Sequence, residues 1–272
     1  MELETRNLEQ KAAEPRKQNA MKLKIFPDIE ELNNFAAEKF VEIAKEAIEK
    51  RGQFTVALAG GSTPKALYEL LASDRFKNNI DWSRVYFFFG DERHVPPDDP
   101  LSNFRMANES LFEPLKILKK NIFRWMTEEK HAEIVADDYE SWIWDFFVKQ
   151  ELLTKESDKE PAFDLVLLGM GADGHTASLF PFTEALGETE KLAVANPVEK
   201  LNATRLTLTF PVFNNARNII FLIAGEEKAE ALKAVLEGAS EPEKFPSQNI
   251  KPENGNLFWL VDERAASLLH HK

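Results

Sequence analysis

At 272 residues the chain can form one large α/β domain or two smaller ones, and its 43% hydrophobic and 29% charged residues exclude a mainly disordered chain. A formal net charge of -12 argues against nonspecific nucleic-acid binding, which depends on Lys and Arg, and leaves a small anionic substrate to be held by a local pocket. Zero cysteines exclude disulfides, thiolate metal sites and cysteine nucleophiles.

In chain order, residues 1–20 read as a polar tail and 21–272 as a single domain without internal repeats. Met1 to Asn19 is charged and lacks the apolar centre of a secretory signal, and no apolar run approaches the roughly 18 residues of a membrane span. A cytoplasmic protein with no membrane or nucleic-acid partner is expected. From Asp28, the spacing Leu32, Phe35, Ala36, Phe40, Ile43, Ala44, Ala47, Ile48 predicts a helix, with Asp28 and Glu31 as a capping box and Gly52 as the stop.

Short apolar runs then predict strands at Phe54–Ala59, Val85–Phe89, Phe163–Leu168, Ile219–Ala224 and Leu257–Val261, with a weaker one at Ile122–Trp125. Arg205–Phe210 alternates Leu with Thr, as a half-exposed or edge strand does. Helices are predicted over Pro64–Ala72, Asn103–Phe112, Glu128–Leu153 and Glu226–Leu236, and surface loops over Thr154–Pro161 and Glu237–Gly255. Alternating strands and helices imply crossover units, hence an α/β fold built on a mostly parallel sheet with helices on both faces.

Three strand ends carry chemistry. After the first, Gly60-Gly61-Ser62-Thr63-Pro64 places a glycine turn ahead of a helix, with Thr63 as N-cap and Pro64 in the first turn. Free N–H groups at a helix start form a ready phosphate site, and without the lysine of a P-loop after the second glycine a nucleoside triphosphate is not indicated. The second, Gly90-Asp91-Glu92-Arg93-His94, brings acids, a guanidinium and an imidazole together. Arg93 can grip an anion through its planar fork, whereas His94, Asp98 and Asp99 read as a solvated loop.

The third, Gly169 to Pro181, holds Asp173-Gly174-His175 among three glycines. His175 is a candidate general base, with a carboxylate setting its tautomer, and Ser178 reads as helix packing or capping. Lys200 and Arg205 flank a later strand start, where they can complete an anion pocket. Five scattered histidines without cysteine form no metal-ligand pattern, so no metal or other cofactor is expected.

Read together, Ala59 to Pro64, Gly90 to Pro96 with Ser102-Asn103, Gly169 to Pro181, Arg205 to Thr209 and Gly255 to Asp262 resemble the 6-phosphogluconolactonase family over about Ile25 to Leu268. The resemblance implies a sugar-phosphate isomerase-like fold and cofactor-free hydrolysis of 6-phospho-D-glucono-1,5-lactone. It implies phosphate recognition by Gly60, Gly61 and Ser62 with Arg93, Arg205 and Lys200, and catalysis by His175. Either Asp173 or Asp91 would orient the imidazole or the ring hydroxyls. A monomer is expected. The rival readings are a glucosamine-6-phosphate deaminase, a related family with a glutamate five residues after the histidine where this chain has Phe180, and a noncatalytic sugar-phosphate sensor.

Overall fold

The computed structural model describes residues 21–153, 161–252 and 254–270. The expected tail, and all but Pro161 of the expected loop Thr154–Pro161, lie outside them. Among the described residues, nine strands form two sheets: β1 (Lys22–Phe26), β2 (Phe54–Leu58), β3 (Val85–Phe89), β5 (Leu165–Leu168), β8 (Asn218–Ile223) and β9 (Asn256–Asp262) pair in the order β1-β9-β8-β5-β2-β3. Every pairing in this sheet is parallel. β4 (Asp91–Arg93), β7 (Ala203–Leu208) and β6 (Ala193–Val198) form a small antiparallel sheet in the order β4-β7-β6.

The main sheet is covered on both faces, and two successive phenylalanines of β3 show how. Phe87 packs on Trp82 and Phe112, at ring separations of 6.3 and 5.0 Å. Trp82 in turn meets Phe40 of α1 (Ile29–Arg51) at 6.3 Å. Phe88 points the other way, to Phe146 of α5 (Ala132–Lys149) at 5.3 Å. Alternate side chains of a strand serve opposite faces, so central strands buried on both sides read as continuous apolar runs.

α1 begins and ends where the sequence predicts. The Glu31 N–H donates to the Asp28 side chain at 2.9 Å, and Gly52 adopts a left-handed φ of 78° while its N–H reaches Ile48 O. α2 (Ser62–Leu71) departs from expectation: its N-cap is Gly61, not Thr63. The φ of 104° at Gly61 suits glycine alone, which moves the helix start two residues earlier.

The predicted Asn103–Phe112 helix is α3 (Asn103–Ala107), a π turn over Asn108–Phe112 and then α4 (Glu113–Leu115). α5 is shorter than expected, starting after a turn in which the Glu129 carboxylate takes the His131 N–H. A 3-10 turn at Glu226–Lys228 precedes α7 (Ala229–Glu237). Ile122 makes a single bridge to Phe87 and no strand.

β1, β4, β6 and α6 (Phe210–Asn214) were not expected. β1 alternates lysine with apolar residues at a sheet edge, β4 is polar throughout, and Pro197 sits in β6 where an edge strand tolerates a missing N–H.

The strand order reverses between β2 and β5. β2 leads on to β3 at one side of the sheet, whereas β5 leads to β8 and β9 at the other. Loops leaving the carboxyl ends of β2 and β5 therefore diverge and leave a crevice, the usual binding place in an open α/β sheet.

Candidate active site

The crevice holds two joined compartments. The first, about 260 Å³, is bordered by Gly60, Gly61, Asp91, Arg93, Asn103, His175 and Lys228. The second, about 570 Å³, is bordered by Asp91, Arg93, Asp173, His175, Phe180, Lys200 and Arg205. Asp91, Arg93 and His175 border both, so the imidazole stands at the junction. The structure thus brings together eight of the nine residues selected from the sequence. Ser62 is exposed at the start of α2 and borders neither compartment.

The His175 loop is built for close approach. The Gly171 N–H donates to His175 O at 2.9 Å, the Gly174 N–H to Gly171 O at 3.0 Å, and the Thr176 hydroxyl to Gly169 O at 2.9 Å. A Cβ on Gly171 would lie 2.1 Å from the imidazole, and Gly174, at φ 78°, has Phe245 where its own Cβ would go. The Ser247 N–H and hydroxyl both donate to Gly174 O, at 2.9 and 2.8 Å. Ser247 lies in the stretch expected to be a surface loop, yet it is 1% exposed because it braces this turn.

His175 Nδ1 lies 2.5 Å from Asp173 Oδ1, and the other Asp173 oxygen pairs with Lys200. An ionised carboxylate only accepts, which assigns the proton to Nδ1 and leaves the Nε2 lone pair open. Partial burial opposes ionisation of Asp173, but hydrogen bonds from His175 and Lys200 outweigh it and hold the carboxyl well below the usual carboxylate range. The Phe180 ring lies 4.2 Å from the imidazole, centroid to centroid.

Of the two acids considered as the imidazole's partner, Asp173 is the one bonded to it. Asp91 is tied elsewhere: Ser178 Oγ donates to it at 2.7 Å, and Asn103 Nδ2 donates to its backbone and side-chain oxygens at 3.0 and 3.3 Å. Ser178 thus lies in no helix, contrary to expectation, and its hydroxyl serves Asp91.

Glu92, 2% exposed, accepts from the N–H groups of Arg93, Asn103 and Phe104 and from the Ser102 hydroxyl. Burial pushes its carboxyl up, against those backbone donors. This carboxylate fixes the strand on which Asp91 and Arg93 stand. The sequence offered it as one more loop acid, and only the adjoining Ser102-Asn103 pair hinted at its donors. His94 is structural, with Nε2 at 2.7 Å from Glu129 O.

Arg93 and Arg205 are register partners across β4 and β7, and both border the second compartment. Burial, then the neighbouring Arg93, pull the Arg205 guanidinium down from its usual value, while Asp91 and Glu92 pull it up. Among the described residues, neither arginine forms an ion pair with a carboxylate. Two facing guanidiniums repel unless an anion sits with them. Lys228, just ahead of α7, adds a cation to the first compartment that sequence reading did not select, since it lies in a plain helical pattern.

Comparison with known proteins agrees with this architecture. A family model described as glucosamine-6-phosphate isomerases/6-phosphogluconolactonase matches residues 27–259. The chain belongs to this family. Within it, a 6-phosphogluconolactonase of Synechocystis is 41% identical over 82% of this chain and 88% of its own length. A solved 6-phosphogluconolactonase from Trypanosoma cruzi is 28% identical with a TM-score of 0.79, covering 94% of this chain and 99% of that one. A monomeric glucosamine-6-phosphate deaminase, 24% identical, has a TM-score of 0.75 over 91% of this chain and 100% of its own, a likeness of fold.

Proposed function

We propose that the chain hydrolyses 6-phospho-D-glucono-1,5-lactone to 6-phospho-D-gluconate, as a cytoplasmic enzyme that uses no cofactor and acts as a monomer. The observation that carries this reading is the His175 imidazole at the junction of the two compartments, with Nδ1 tied to Asp173 and facing arginines at its side. The 6-phosphogluconolactonases among its relatives support the substrate.

A δ-lactone is an activated ester, so the chemistry needs one base for water, stabilisation of the developing oxyanion and an anchor that fixes the ring. Nε2 of His175 takes a proton from water as the oxygen attacks C1. When the C1 to ring-oxygen bond breaks, the imidazolium returns that proton to the leaving oxygen, which becomes the C5 hydroxyl. Asp173 holds the tautomer throughout. Arg93 borders both compartments, so a phosphate held by it is open to the Gly60–Gly61 turn and Lys228 on one side and to Arg205 on the other.

The deaminase reading requires extra acid-base groups for proton shuttling between C1 and C2. At the decisive position Phe180, 5% exposed, packs against the imidazole with the two rings tilted by 30° and offers no proton. Fresh lactone, with its product followed by a coupled dehydrogenase and corrected for spontaneous opening, tests the proposal. Acceleration is expected. Opening at the spontaneous rate, with ammonia released from glucosamine 6-phosphate, would transfer the chain to the other branch of its family.

A further inference from the structure

Lys200 was selected from the sequence as a phosphate ligand, and its surroundings give it different work. It stands on a single 3-10 turn, Glu199–Leu201, between β6 and β7, closed by Asn202 at φ 47° with its N–H on Glu199 O at 2.9 Å. From there the ammonium pairs with Oδ2 of Asp173, while the imidazole occupies Oδ1. The same ammonium lies 4.8 Å from the centroid of the Phe180 ring, the ring that packs against the imidazole. Lysine and histidine therefore share both an anion and an aromatic support.

We propose that Lys200 is a positioning residue for the lactonase reaction: it fixes the plane of the Asp173 carboxylate, and through it the tautomer and direction of His175, instead of anchoring the substrate phosphate. This inference rests on the lactone-hydrolase reading above. Oδ1 takes the imidazole and, at 3.3 Å, the His175 N–H, both from its own loop, and a carboxylate held at one oxygen still turns about its side-chain bonds; Lys200, from a separate loop, holds the other oxygen, as supporting hydrogen bonds do around other functional histidines. An ammonium committed to Asp173 has to abandon it to reach a phosphate. Arg93, with its Nη1 donating to Leu101 O, and Arg205 pair with no carboxylate among the described residues, which leaves the anion to them.

Lys200 also offsets charge. The charged groups bordering the cleft with the imidazole are Asp173 on its own loop, Asp91 and Arg93 from β4, Arg205 from β7, Lys228 ahead of α7, and Lys200 itself. Removing Lys200 leaves the Asp173 charge unshared beside the ring.

Lys200→Met and Lys200→Arg separate positioning from anchoring. The side chain is 49% exposed, so neither change disturbs the core. For Lys200→Met we expect kcat to fall about tenfold or more, part of the roughly 10² to 10⁴ that a general base supplies, with KM within about threefold of the parent. Lys200→Arg, which keeps the cation, recovers most of kcat. In the resting protein, nitrogen NMR of His175 should show the Nδ1-protonated form in the parent and a mixture in Lys200→Met.

A KM raised about tenfold or more at parental kcat is the mark of a lost anchor and overturns the proposal. Unchanged kinetics with an unchanged tautomer overturn it equally. Should the parent fail to accelerate lactone opening, the functional reading falls, and the nitrogen spectra still judge the Lys200–Asp173–His175 arrangement.

Discussion

Strand β5 carries an ion-paired aspartate at each end, and the two live differently. Asp164, just before Leu165, is 3% exposed in its side chain, bonded to the Thr55 N–H at 2.9 Å and hydroxyl at 3.1 Å, and paired with Arg51 at 2.7 Å. Burial pushes its carboxyl up while Arg51 pulls it back. Asp173, five residues past Leu168, is 34% exposed and faces the cleft. Deep burial makes Asp164 a fastener that ties the start of β5 to β2 through Thr55 and to the end of α1 through Arg51, because a carboxylate left alone there is costly. Partial exposure lets the second act on a neighbour's proton at little expense to the fold.

The sharpest way to break this contrast is His175→Ala. A drop in kcat of about 10² to 10⁴ is expected with near-parental unfolding in urea, and a parental rate after correction for spontaneous opening would remove the imidazole from the mechanism. Next comes Asp164→Ala, which strands Arg51 and the Thr55 donors. It should cost about 3 kcal/mol or more of stability, while the folded fraction keeps the parental kcat. Loss of turnover at full stability would show that the two ends of β5 are not separable.

Asp173→Asn should lower kcat on the order of a hundredfold, since an amide that donates to Nδ1 fixes the wrong tautomer. Melting should stay close to the parent. The smallest effect lies in acid. The Asp173 carboxyl is depressed in the folded protein, so its contribution is fully present above the unfolded carboxylate value of about 3.9 and is lost as pH falls through the lower folded value. Urea titrations of parent and Asp173→Asn should differ by a constant amount down to about pH 4 and converge below it. A difference that widens in acid would contradict the assignment.

Five of the six parallel strands were legible because burial on both faces leaves an unbroken apolar signature, as in Phe54–Leu58 and Leu165–Leu168, whereas β1 at the sheet edge mixes lysine into its run and was not. Asp91–Arg93 was not, since a three-residue polar strand has no such signature and is made by its pairing with Thr207, Leu206 and Arg205. In the site, the glycines and His175 announced themselves by type and spacing. The division of labour between Asp91 and Asp173 did not, because it depends on Ser178 and Asn103 arriving from other parts of the chain. Lys228 was equally silent, its role set by where the crossover after β8 delivers it.

The pairing of β2 with β5 sets the order of events as the protein assembles. Thr55 and Asp164 are joined across 109 positions of sequence, and the glycine turn and the imidazole hang from those same two strands. Such distant closure comes late and slowly. Regained turnover after dilution from denaturant is therefore a clock for the central register of the sheet, and it should lag the return of helical signal from local segments such as α1.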